Sequence, residues 1–384
     1  MSCRTAFLNY LGNENSLNKF KGNPLSFVPP KNRSYRLKPL PSQNLPKNLT
    51  WSCDGPSIKN FSPFTQNQSY IEVEFECRQL SNLNFYPFIK VNTYLVKHKT
   101  NSNYICMIHL QNTSKKDKFT LIYNHGGNSE LGDNLPILFD FCAQLKCDVI
   151  AYDYSGYGCS SNIKVTEEQI INDLILTIDF TEETLKVDRK DIALFSFSSS
   201  AIPCIEVLST EEYSDIRTLI LLSPAFSSKT TDMMLDENEE VNRKSEEILN
   251  TLRNINSQVF IIHGKLDDLV QNDYIIMLAK SIKNLTEWYP SKANHFNILD
   301  EIRRKFFGKV NNFLEYLRSL KNNSEDKINN KEEDDDNYKQ NTRSQSDLIK
   351  DESTNSSNNE IMGNIIKSNE EGFVGVIESN VCFE

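Results

Sequence analysis

The chain reads as an α/β fold, a mostly parallel central sheet with helices on both faces, followed by a low-complexity tail. Two observations carry this. From Phe119 onward, short apolar runs of strand length alternate with amphipathic helical stretches, the βαβ pattern that produces parallel pairing and a sheet covered on both sides. Ahead of them, three β-rich runs follow one another without helical periodicity, Tyr70 to Phe75, Phe88 to Val96 and Tyr104 to Leu110, so the sheet is expected to open as a meander.

A length of 384 residues holds one large domain or two small ones plus tails, and a hydrophobic share of 38% means that polar segments dilute the core. The net charge of -10 divides unevenly: residues 1–50 carry +7, residues 321–384 carry -8, and the middle is left at -9. A mildly acidic body does not suggest nucleic-acid binding. Nine cysteines are scattered without a C-x-x-C pair, the N-terminus has no apolar run of signal-peptide length, and nowhere do about 18 apolar residues follow one another. The expectation is a soluble, cytoplasmic chain with free thiols in a reducing compartment.

Residues 1–69 are rich in Pro, Asn and Ser and read as an irregular basic arm, with Leu25 to Pro30 packed on the domain surface. Two readings stay open for its start: Cys3 with the +7 arm as an acylated anchor at the cytosolic face of a membrane, or a disordered basic leader. Residues 70–320 form the domain. Its first parallel strand, Phe119 to Tyr123, ends in Asn124-His125-Gly126-Gly127, and a helix follows with Leu135, Leu138, Phe139, Cys142 and Leu145 on one face. Val149 to Tyr152 is the next strand, closing with Asp153-Tyr154-Ser155-Gly156-Tyr157-Gly158. Thr166-Glu167-Glu168-Gln169 fits a capping box ahead of a helix striped by Ile171, Leu174, Ile175 and Ile178. Strands at Thr218 to Leu222 and Val259 to Ile262 flank an acidic insert, 226–256, read as a short lid or a surface helix hairpin. A last helix is expected from about Asp300, and residues 321–384, nearly all polar, are expected to be disordered.

Ile192 to Pro203 reads as a buried strand entering a helix through a sharp turn with serine at the apex. In such a nucleophile elbow the residues two before and two after the apex crowd one another and must be small. Leu194, Phe197 and Ile202 exclude Ser196, Ser199 and Ser200 in turn, whereas Ser198 is flanked by Ser196 and Ser200. A serine hydroxyl becomes a nucleophile only when a neutral imidazole takes its proton and a carboxylate holds that imidazole in one tautomer. Downstream, Ile261-Ile262-His263-Gly264-Lys265-Leu266-Asp267 is a strand ending in an acid loop, and His295 lies in the loop before the final helix, giving the chain order Ser, Asp, His of α/β hydrolases. Asp267 is preferred to Asp268 because it sits in the turn with Leu269 and Val270 behind it; Asp153 is the alternative acid. The N–H groups of Ser199 and Gly127 are the candidate oxyanion donors. His125 and His263 read as turn formers at strand ends, and His98 and His109 receive no role.

On these residues the run from Leu121 to Phe296 resembles the alpha/beta hydrolase domain-containing group, most closely its protein 17 branch of protein depalmitoylases. The resemblance rests on His125-Gly126-Gly127, Asp153 to Gly158, the elbow with Pro203 five residues past the serine, Ser223-Pro224, Ile262-His263-Gly264 with Asp267, and His295; Phe27-Val28-Pro29-Pro30 also looks like that branch's lead-in. It implies an alpha/beta-hydrolase fold, Ser198 as nucleophile, Asp267 as acid, His295 as base, a fatty-acyl thioester or ester on a protein or lipid as substrate, and neither metal nor organic cofactor. Three departures stand out: the elbow lacks both glycines, Gly127 replaces an asparagine, and the branch's N-terminal cysteine cluster is reduced to Cys3. Beside the hydrolase reading stand a catalytically weak or inactive hydrolase fold that binds an acyl chain or a protein, and a peptidase.

Overall fold

The computed structural model describes residues 27–40, 51–52, 55–56, 64, 68–77, 86–114, 119–225 and 239–320. Residues to Tyr316 fall in one compact unit; a second begins at Leu317, nearly all of it outside the described residues, as are Cys3 and most of the basic leader. The strands are β1 (Tyr35–Pro39), β2 (Trp51–Ser52), β3 (Gly55–Pro56), β4 (Tyr70–Cys77), β5 (Ile89–Lys97), β6 (Tyr104–Asn112), β7 (Thr120–Asn124), β8 (Asp148–Asp153), β9 (Ile192–Phe197), β10 (Thr218–Leu222), β11 (Gln258–Ile262) and β12 (Leu285–Trp288). Apart from a two-residue ladder of β2 with β3, they form a ten-stranded sheet in the order β1-β4-β5-β6-β8-β7-β9-β10-β11-β12. The early strands pair antiparallel as the meander predicts, and β8 through β12 pair parallel.

The chain leaves β7 for β8 on one side and returns to β9 on the other, so β7 and β9 flank a topological switch point, where open α/β sheets bind ligands beyond their carboxyl ends. Register makes that edge continuous. Asn124 pairs with Ser196, Phe197 with Leu222, Leu222 with Ile262, and Ile262 with Trp288. The five loops that follow these strands therefore open along one edge.

Helices α1 (Leu131–Gln144), α2 (Glu167–Glu183), α3 (Ala201–Leu208), α4 (Glu239–Asn254) and α5 (Asn272–Ala279) connect the parallel strands, and α6 begins at residue 298. Strand alternation assigns the faces. Phe195 of β9 meets Phe141 of α1 at a ring separation of 4.7 Å, with Phe306 of α6 beside it, while Leu194 enters the opposite cluster with Leu174, Ile205, Leu252 and Ile275. Thr166 caps α2 by accepting from Gln169 N (3.2 Å), but the Gln169 amide turns to Asp173 (3.0 Å) instead of closing the box. The buried face of α2 is consequently wider than its apolar stripe and includes Asp173, Thr177 and Thr181.

Two segments differ from the sequence expectation. Tyr35–Pro39, inside the arm read as irregular, is the edge strand of the sheet, paired from Tyr35↔Cys77 to Pro39↔Val73. Its period is two, Tyr35 and Leu37 buried against exposed Arg36 and Lys38, a pattern too short to stand out among prolines. Of the insert read as a lid, residues 226–238 lie outside the described residues, and the rest includes α4, a crossover helix whose Leu252 is buried and whose Ile248 and Leu249 lie on the core. Phe27 packs edge-on against Tyr154 at 5.3 Å, as the surface-packing expectation has it. Among the described residues no helix is long and apolar enough to cross a membrane.

The arm is tied to the first crossover by buried acids. Ser34 donates its N–H and hydroxyl to Glu130, and Tyr35 donates its phenol to Asp153, which also accepts Leu131 N–H (2.9 Å) at the start of α1. A carboxylate at that end of a helix satisfies an orphan donor and complements the helix dipole. Burial, with the Asp153 charge adding to it, pushes the Glu130 carboxyl up from 4.5 to about 7. The stabilisation from keeping that proton is complete below about 4.5 and is lost as pH rises through about 7. Glu130→Gln is therefore expected to melt level with the parent near pH 4 and several degrees above it at pH 8; a melting difference that does not change with pH overturns this assignment.

Candidate active site

Strand β9 ends at Phe197 and the chain turns at once into a single 3-10 turn, Ser198–Ser200, and then α3. Ser198 has φ 59°, the left-handed region that costs a residue with a side chain about 1–3 kcal/mol unless its surroundings impose it. The surroundings are the two flanking serines. Ser196 Oγ and Ser200 Oγ lie 2.9 Å apart, both fully buried, and Ser200 Oγ also accepts Phe197 N–H (3.0 Å) and sits 2.9 Å from the Asn124 carbonyl. The departure from glycine is thus compensated: the two side chains are small enough to meet, and Ser200 Oγ, whose own proton goes to the Asn124 carbonyl, accepts the Ser196 hydroxyl.

His295 Nδ1 is 2.8 Å from Asp267 Oδ2, and its Nε2 is 2.9 Å from Ser198 Oγ. With Nδ1–H donated to the carboxylate, Nε2 is left as an acceptor for the serine hydroxyl. The other carboxylate oxygen of Asp267 accepts Leu269 N–H (3.0 Å) and Val270 N–H (2.8 Å). Burial alone pushes the Asp267 carboxyl up, but the His295 hydrogen bond and charge, the nearby His263 and the Val270 N–H together hold it below the usual carboxylate value. Asp268 points to solvent.

Asp267 and His295 reach one another because their loops are laced backbone to backbone. His263 N–H donates to Trp288 O (3.0 Å), Lys265 N–H to Pro290 O (2.9 Å) and Leu266 N–H to Ala293 O (2.9 Å). Gly264 sits at the closest approach, where a Cβ would stand 2.3 Å from the Ala293 carbonyl. His263, expected as a turn former, is fully buried, donates Nε2–H to Val270 O (2.9 Å) and lies 3.7 Å from Asp267; burial lowers its pKa.

The expected oxyanion pair comes together in an arrangement the sequence does not announce. Gly127 N–H donates to Ser199 Oγ at 3.0 Å, so this N–H is occupied by the hydroxyl of the residue next to Ser198. The Gly127 carbonyl is gripped from the far side by Val28 N–H (2.8 Å) and the Tyr157 phenol (2.7 Å), and Tyr154 donates to His125 O (2.8 Å). Nothing in the run Asp153 to Gly158 singles out its two tyrosines as these donors, because the carbonyls they reach belong to another strand's loop.

The remaining polar residues fall elsewhere. Asp153, the alternative acid, is spent on Tyr35 and Leu131 N–H. His98 bonds Asp173 (2.8 Å), which also receives the N–H and hydroxyl of Ser155, a buried strut between the meander and α2. His109 lies 3.3 Å from Asp148. Among the described residues no group of three or more His, Cys, Asp or Glu is placed to hold a metal ion.

No family model matches the chain. Over 206 residues it is 25% identical to alpha/beta hydrolase domain-containing protein aho-3 of Caenorhabditis elegans, covering 51% of this chain and 58% of that protein. Over 200 residues it is 22% identical to alpha/beta hydrolase domain-containing protein 17C of Homo sapiens, covering 52% and 59%. The match thus spans less than two thirds of these relatives. Among solved structures, an esterase of Pyrococcus furiosus superposes with a TM-score of 0.50 at 20% identity, covering 60% of this chain and 91% of that one. The chain has the alpha/beta-hydrolase fold and is similar to these hydrolase domain-containing proteins.

Gly264→Ala is expected to cost about 1–3 kcal/mol, since a backbone carbonyl rather than a flexible side chain stands in the way. Chemical denaturation measures this. An unchanged midpoint would mean that the acid and base loops do not meet there.

Proposed function

We propose that the chain is a serine hydrolase that cleaves an acyl ester or thioester, with Ser198 as nucleophile, His295 as general base and acid, and Asp267 as the carboxylate that orients it. The observation that carries the reading is the unbroken contact from Ser198 Oγ to His295 Nε2 and from His295 Nδ1 to Asp267, at the carboxyl edge of the sheet. Ser198 Oγ attacks the acyl carbonyl while its proton passes to Nε2. The tetrahedral oxyanion is met by Ser199 N–H, and by Gly127 N–H once the substrate oxygen takes the place of the Ser199 hydroxyl. Collapse expels the alcohol or thiol, which leaves with the proton from Nε2, and water then frees the acid from Ser198 by the same steps in reverse. The resemblance drawn from the sequence makes a palmitoylated protein the finer candidate, with Cys3 and the basic arm as its means of reaching the cytosolic face of a membrane.

The Gly127–Ser199 bond favours a second reading, a hydrolase fold of low catalytic power, because one donor of the oxyanion pair is already engaged. Two measurements separate the readings. An active-site fluorophosphonate is expected to label the parent and not Ser198→Ala, and Asp267→Asn to lower kcat about ten-thousandfold; labelling that survives Ser198→Ala places the nucleophile at another serine. Ser199→Ala, which frees Gly127 N–H, is expected to raise kcat severalfold on a p-nitrophenyl acyl ester. A fall in kcat would instead make the Ser199 hydroxyl a donor to the oxyanion, and absence of both labelling and turnover in every variant would leave the binding protein.

A further inference from the structure

A cavity of about 860 Å³, within the range of small-molecule sites, lies between the arm and the loop that follows β8. Its wall presents Lys31, Asn32 and Arg33 from the arm and Asn162 and Lys164 from the loop, with Gly158 among the backbone that lines it. No lining residue is acidic. In a chain of net charge -10 this gathers three cations and two amides around one hollow. Arg33 lines the cavity, while its Nη1 is closed off from solvent and has no hydrogen-bond partner among the described residues. Behind the wall, Asp153 is bonded to Tyr35 and Leu131 N–H and Glu130 Oε1 to Ser34, while Glu130 Oε2 is buried without a hydrogen-bond partner among the described residues.

Both walls are fastened to the loop beside the nucleophile. Val28, whose N–H bonds the Gly127 carbonyl, is one residue from Pro29, where the cavity lining begins. On the other side, Tyr154 and Tyr157, which bond the carbonyls of His125 and Gly127, flank the turn that continues to Gly158. The arm and the turn after β8 thus both line the cavity and hold the candidate oxyanion loop.

We infer that this cavity is a subsite for a phosphate group carried on the alcohol or thiol side of the substrate, a deepening that rests on the hydrolase reading above. Phosphate suits it because a tetrahedral dianion offers several oxygens to cations arriving from two walls, with Arg33 supplying paired donors and the lysines point charges. Acyl esters of phosphorylated alcohols are then preferred to the same esters without phosphate.

Binding is tested with glycerol 3-phosphate as probe and glycerol as control, by titration calorimetry at low salt on the full chain. Saturable binding of the phosphate alone is expected, weakened about tenfold or more by Arg33→Ala and by Lys164→Ala; Lys164 is exposed, so that variant keeps the fold. Catalysis is tested as the ratio of kcat/KM for 1-acylglycerol 3-phosphate to that for 1-acylglycerol, expected to fall about tenfold in either variant. Absence of saturable binding, or binding and a ratio untouched by both substitutions, overturns the subsite. So does retention on phosphatidylserine vesicles through Arg33 and Lys164 with no affinity for the soluble probe, which would make the patch a membrane contact. If neither ester is cleaved while Arg33-dependent phosphate binding persists, the hydrolase reading fails and the phosphate site stands; if both are cleaved at an unaltered ratio, the reverse holds.

Discussion

The carboxylate of Asp267 is the constraint that the rest of the site answers to. A buried charge is tolerated only where donors surround it, and here Leu269 N–H, Val270 N–H and the His295 imidazole do so. To supply them the turn after β11 must wind tightly around its own acid, and the loop after β12 must lie directly on that turn. Both conditions are met by backbone bonds from His263, Lys265 and Leu266, and by a glycine where no side chain fits. His263 completes the enclosure on the inner side. The histidine is therefore positioned by main chain, and the serine is brought to it by sheet register.

The arm gives the other half of the molecule its order. By adding a strand to the meander and bonding Glu130, Asp153 and the Gly127 carbonyl, it connects the far edge of the sheet to the loop beside Ser198. The direction in which Gly127 N–H points is set by what holds the opposite end of the same region, and Val28 and Tyr157 hold it. Residues distant in sequence from Ser198 thus fix the geometry of a donor next to it.

What the sequence made legible follows from its period and its spacing. Buried parallel strands and striped helices announce themselves, and Ser198, Asp267 and His295 lie in the segments that follow strands β9, β11 and β12, whose ends the register aligns. Asp267 was separable from Asp268 because a turn that packs Leu269 and Val270 inward faces the first acid in and the second out. Tyr35–Pro39 was not legible, because a five-residue edge strand among prolines carries only two inward side chains. Nor was the Gly127–Ser199 bond, which joins residues 72 positions apart and depends on side-chain direction within a turn. The wider buried face of α2 was hidden for a related reason: Asp173 is polar by type and buried only because His98 and Ser155 reach it.

The hydroxyl pair at the elbow has a historical corollary. Ser196 and Ser200 replace two glycines of the usual motif and bond one another inside the core. Ser200 alone keeps Phe197 N–H and the Asn124 carbonyl, whereas Ser196 is bonded only to Ser200 among the described residues, so of the two intermediates between the glycine and serine versions only the one with serine at 196 alone leaves a buried hydroxyl without a partner. Lineages that pass from the glycine to the serine version should therefore change position 200 before position 196.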